Sequence, residues 1–151
     1  MKRFLSRISI GLLTCGLAGL IAWTSLAAVR PFHLVEHGTL TVVNGHLVAD
    51  GAGTATFLGR FTLHREATLT PMGSDLKVSD GKATLTAANG DQLEASFTGT
   101  IFTATGQGVL TYEWTGGTGQ FQNASGPTIW QVELHPDQGT YDLTACGVIN
   151  F

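Results

Sequence analysis

Thr115-Gly116-Gly117-Thr118-Gly119-Gln120-Phe121-Gln122-Asn123-Ala124-Ser125-Gly126 carries four glycines in twelve residues. That density demands sharp turns and a closely packed backbone. Directly upstream, Leu110, Tyr112 and Trp114 alternate with Thr111, Glu113 and Thr115, the period of a half-buried strand. Gly116 and Gly117 are expected at φ > 0 where that strand ends. Phe121 and Ala124 are three apart, so one short helical turn puts both on the inner side as a plug. Asn123 and Ser125 can bond nearby backbone groups, and Gly126-Pro127 releases the chain into a new strand. Gly116, Gly117, Gly119, Phe121, Ala124 and Gly126 are therefore read as a structural loop.

The same alternation recurs on both sides of this loop. Ala55, Phe57, Phe61 and Leu63 are read as one inward set, and Ala83, Leu85 and Ala87 as another. Leu93, Ala95 and Phe97 follow, then Trp130, Val132 and Leu134, and finally Tyr141, Leu143, Ala145 and Ile149. Nineteen of the 21 threonines lie after residue 27, as expected where hydroxylated β-branched side chains cover the outer face of strands. Asn44-Gly45, Asp80-Gly81 and Asn89-Gly90 read as two-residue hairpin turns, with Asp50-Gly51-Ala52-Gly53 and Asp137-Gln138-Gly139 as looser ones. Short strands, tight turns and no helix to cover the apolar faces predict an all-β, closed, antiparallel up-and-down β-barrel of about eight strands.

The first residues differ in kind. Lys2, Arg3 and Arg7 precede an uncharged stretch that runs to Val29 and ends in Ser25-Leu26-Ala27. Residues 1–27 read as a secretory signal peptide, cleaved after Ala27 or Ala28, and residues 28–151 as a single domain in a secreted or periplasmic protein. An uncleaved anchor over Ile8 to Val29 is the alternative, and lipidation at Cys15 fits less well because Thr14 precedes it. Beyond residue 27 the chain holds five basic residues against eleven acidic ones, a net −6. Nothing in that balance suits nucleic acid or an anionic membrane surface. One cysteine, Cys146, remains there, so the domain has no internal disulfide and is held by its core.

Gly116 to Gly126 resembles the GGTGxFxxAxG signature of the dirigent and allene oxide cyclase-like barrels. Gly53-Thr54-Ala55-Thr56-Phe57-Leu58-Gly59-Arg60-Phe61-Thr62 and Thr84-Leu85-Thr86-Ala87-Ala88-Asn89-Gly90-Asp91-Gln92-Leu93 are similar to segments of small exported bacterial members. The resemblance covers roughly Phe32 to Phe151. It implies an eight-stranded antiparallel barrel with a cavity, trimeric in many plant members. Its shared motif is scaffold, so no catalytic residue is carried over.

Tyr112, Trp114 and Trp130 share the inward phase on runs flanking the glycine-rich loop. They are candidate walls of a cavity for a flat apolar ligand, with its mouth beside them; alternatively they fill a small barrel as core. Glu36 shares the phase of Leu34 and Leu40, and inward it would be an acid or a hydrogen-bonding anchor. An outward Glu36 with Val35 inward, or a frayed edge before Gly38, is preferred. Arg60 lies on the polar phase and reads as a cross-strand ion-pair partner. His33, His37, His46, His64 and His135 read as surface residues; His33 and His37 share a face but lie about 13 Å apart along a strand. With no HExxH and no paired-cysteine spacing, neither metal nor cofactor is expected. The reading is an exported, non-catalytic barrel that binds a small hydrophobic molecule or a protein partner, with homo-oligomerisation open. Two alternatives stand beside it. One is an isomerase or coupling guide drawing on Glu36, Tyr112 and Tyr141, and the other a structural envelope or extracellular component.

Overall fold

Short connections force consecutive strands to pair with each other, and the last strand then returns to the first. The computed structural model describes residues 28–151, so the signal-peptide reading and Cys15 fall on residues 1–27, outside the described residues. Eight strands follow in order: β1 (Arg30–Val43), β2 (His46–Ala55), β3 (Gly59–Met72), β4 (Asp75–Ala87), β5 (Gln92–Phe102), β6 (Gln107–Gly117), β7 (Gly126–His135) and β8 (Thr140–Ile149). Each pairs antiparallel with the next, and β8 pairs with β1 to close the barrel, with Ala145 opposite Leu34. Closure leaves no sheet edge unpaired.

The barrel has two unlike ends. The β1–β2, β3–β4, β5–β6 and β7–β8 hairpins crowd one, hereafter the hairpin end. The β2–β3 and β4–β5 turns, the glycine-rich β6–β7 segment and the last residue, Phe151, occupy the other, the loop end. There Gly119–Phe121 forms a single 3-10 turn, which puts Phe121 and Ala124 inside. Gly116 and Gly117 sit at φ 122° and 157°, and a Cβ on Gly117 would run into the Gln92 carbonyl oxygen. Thr118 fastens the turn to β5, its N–H donating to Gln92 O and its Oγ1 accepting from Gln92 N, both at 2.8 Å. Phe151 packs edge-on against Phe121, and Arg30 lies over the Phe151 ring at 4.8 Å.

Three local readings of the sequence are corrected. Asp80-Gly81 closes no hairpin; it lies inside β4, where the register against both β3 and β5 shifts. Asp80 takes φ 54°, and the extra residue flips the inward phase from Leu76 and Val78 to Ala83, Leu85 and Ala87. Asp50-Gly51-Ala52-Gly53 is not a turn but the middle of β2, paired with β1 and β3 on either side. Phe57 is not on an inward strand face. It sits at φ 70° in the tight β2–β3 turn, and Leu58 fills the barrel end instead. The four-residue β5–β6 turn and the Gly73-Ser74 turn between β3 and β4 supply the remaining reversals.

Candidate functional site

The inward phase of β3 runs Phe61, Leu63, Arg65, Ala67, so the pleat that buries three apolar side chains also carries a guanidinium inside. Room for it comes from the two neighbouring strands. Gly51 on β2 pairs with Gly38 on β1, and a Cβ at Gly51 would stand 2.5 Å from both Glu36 Oε1 and Tyr141 Oη. Two missing side chains thus make space for a polar cluster at mid-height in the barrel.

Four strands contribute to that cluster. Arg65 Nη2 donates to Glu36 Oε1 on β1, and the same carboxylate oxygen accepts from Tyr141 Oη on β8. Arg65 Nη1 donates to Tyr112 Oη on β6 at 3.1 Å, and Nη2 lies 3.3 Å from Tyr141 Oη. Arg65 also stands over the rings of Trp130 and Tyr141, 5.5 and 4.9 Å from their centroids. Burial pushes both tyrosine hydroxyls above their ordinary pKa, against the opposing pull of Arg65, so both keep their protons. Glu36 Oε2 and Arg65 Nε are buried without a hydrogen-bond partner among the described residues.

Above the cluster, toward the hairpin end, the barrel opens into a cavity of about 120 Å³. Leucines at 40, 47, 69, 76, 110 and 134 dominate its walls; Arg65 and Tyr141 are its two polar lining residues. The surface it presents is apolar throughout, because the polar atoms of these two residues are turned into the cluster.

The structure places the candidate residues differently from one another. Glu36 points inward and is fully buried, which corrects the outward reading; Val35 is the exposed neighbour. Tyr112 lies between Phe97 and Trp130, stacked at centroid distances of 4.4 and 3.8 Å. Trp114 packs edge-on against Phe32 and Trp130 below the cluster. Tyr112, Trp114 and Trp130 line no part of the cavity, whose mouth is at the end opposite the glycine-rich loop. These rings fill the interior. Arg65 escaped the sequence reading although its parity with Phe61 and Leu63 was the signal that marks it. Arg60 is exposed on the outer wall.

Four of the five histidines are exposed and His135 is half-buried. On the outer wall, His64 Nδ1 meets Asp50 Oδ1 at 2.8 Å and its Nε2 lies 3.4 Å from Glu66. Among the described residues no three His, Cys, Asp or Glu side chains are placed to hold a metal ion. No protein-family profile matches the chain, and the search of curated proteins finds no match.

Proposed function

We propose that this domain is an exported binding protein that holds a small apolar molecule in the cavity at the hairpin end. One observation carries the reading: a leucine-walled cavity open at one end and floored by the Arg65–Tyr141 edge of the buried cluster. Its walls gain from removal of water, at about 25 cal/mol per Å² of apolar surface buried. The export step follows from the apolar N-terminal stretch and its small-residue end. The resemblance of Gly116–Gly126 to the dirigent and allene oxide cyclase-like signature supports membership of that superfamily.

Titration of methyl-labelled protein with cyclohexanone tests the reading. Saturable shifts are expected at Leu47, Leu69 and Leu110, and Leu47→Trp, which blocks the mouth, should remove them. Absence of saturable shifts in the parent protein would sink the proposal.

A second reading, an isomerase or coupling guide, draws on one contact. Tyr141 lines the cavity and its hydroxyl donates to Glu36, so a phenol–carboxylate pair lies directly behind the cavity wall. Turnover of a bound ligand that disappears in Glu36→Gln while binding persists would favour it.

A further inference from the structure

We infer that the cavity is a preformed socket for a bare hydrocarbon group of about six carbons, and that any polar atom of the ligand must face the mouth. The inference rests on the reading of this cavity as a ligand site. Its first support is the floor. Arg65 and Tyr141 reach the cavity, but their polar atoms are turned into the cluster. Arg65 Nη1 donates to Tyr112, Nη2 donates to Glu36, and the Tyr141 hydroxyl donates to the same carboxylate. What these two residues present to the cavity is carbon, like the leucines around them. A ligand oxygen at the floor would leave water and find no partner, and an ion would fare worse. A methyl or methylene group there gives up no hydrogen bond.

The second support is the mouth. Four hairpin turns surround it, and each offers a carbonyl to the chain beyond its own hairpin. Gly45 O, after β1, accepts from Leu69 N on β3 at 2.7 Å. Ser74 O, after β3, accepts from Thr103 Oγ1, which follows β5. Gly106 O, after β5, accepts from Leu134 N on β7 at 2.7 Å, and Gly139 O, after β7, accepts from Leu40 N on β1 at 3.0 Å. These four bonds close a collar around the barrel end. Three of its donors, Leu40, Leu69 and Leu134, carry side chains that line the cavity. The collar fixes those walls before a ligand arrives, so little order has to be imposed on binding. Size is the third support. About 120 Å³ is close to the roughly 150 Å³ of an apolar cavity that takes up benzene, so one six-membered ring fills it. Anything longer leaves past Val42, which lines the cavity and is exposed at its rim.

The test is a matched set of one-ring probes: methylcyclohexane, cyclohexanone, its para-dione with a second carbonyl across the ring, and cyclohexylbutanol. Methyl shifts at Leu47, Leu69 and Leu110 give affinity. Cyclohexanone can turn its one oxygen to the mouth and should bind, whereas the dione must lay one oxygen on the floor. The dione should bind about tenfold or more weakly than cyclohexanone, and methylcyclohexane should bind more tightly than either. Amide exchange at Leu40, Leu69 and Leu134 should be slow in the free protein and little changed by methylcyclohexane. Cyclohexylbutanol separates two sources of the hydrocarbon group. Binding tighter than that of methylcyclohexane supports the end of a larger molecule, and weaker binding supports a free hydrocarbon. Dione binding as tight as that of cyclohexanone overturns the inference but leaves the cavity as a ligand site. Fast exchange at the three leucines that slows only on binding overturns the preformed socket. Binding of none of the four probes overturns both readings.

Discussion

Arg65 on β3 and Glu36 on β1 meet inside the barrel as an ion pair, although 29 residues and an intervening strand separate them. Together with Tyr112 and Tyr141 the pair ties β1, β3, β6 and β8 at one level. Breaking such a pair strands a charge away from water. Arg65→Met should therefore cost about 3–5 kcal/mol, and adding Glu36→Leu should recover most of that loss. Denaturant unfolding of the two variants measures both. A single variant within about 1 kcal/mol of the parent would mean that water reaches the pair.

Trp114 is buried beneath the cluster and away from the cavity, against Phe32 and Trp130. Trp114→Ala should lower stability by about 3–5 kcal/mol through the void it leaves. Where the variant folds, cyclohexanone should still bind at the hairpin end. Weakened binding with an unchanged melting temperature would place the ligand beside Trp114 instead.

The loop end depends on one ring. Phe121 is wholly buried and touches Phe151, so Phe121→Ala should cost about 3–5 kcal/mol. Thermal unfolding checks this, and a loss under about 1 kcal/mol would show that the glycine-rich turn does not plug the barrel.

His64 carries the surface pH response. Its hydrogen bond to Asp50 is the largest cause of a pKa raised above 6.5, with slight burial opposing and Glu66 adding to the rise. A folded pKa above the unfolded one stabilises fully below about 6.5, and the effect fades as pH rises through the folded value. An NMR titration should place His64 above 6.5, and Asp50→Asn should return it toward that value. Because the pair is exposed, the accompanying change in stability should be small. A His64 midpoint unmoved by Asp50→Asn would contradict the contact.

Cys146 faces outward from β8 and is exposed. A thiol reagent should label the native protein at a rate close to that of the unfolded chain. Protection that persists until denaturation, with the mass of a monomer in solution, would put the side chain inside the wall.

Repeated local signals made the barrel legible. Leu93, Ala95 and Phe97, then Leu110, Tyr112 and Trp114, show period two within single segments, and Asn44-Gly45 lies between runs that pair with each other. Such patterns need only neighbours along the chain, because the pleat alternates side chains whatever lies across it. Asp80-Gly81 carries the same turn chemistry as Asn44-Gly45, yet becomes a bulge because its flanking runs pair with β3 and β5 rather than with each other. Phe57 and Leu58 exchanged roles for a similar reason: where β2 must reverse into β3 is settled by their mutual register. The site needed more still. Glu36 shares the parity of Leu34, and Arg65 that of Leu63, so the inward direction of both was written in the chain. Taken singly, each would bury an uncompensated charge, which is why an outward Glu36 is the natural reading of β1 alone. Only barrel closure brings the guanidinium, the carboxylate and the two phenols to one point, and there the cost of burying each charge is met by the others.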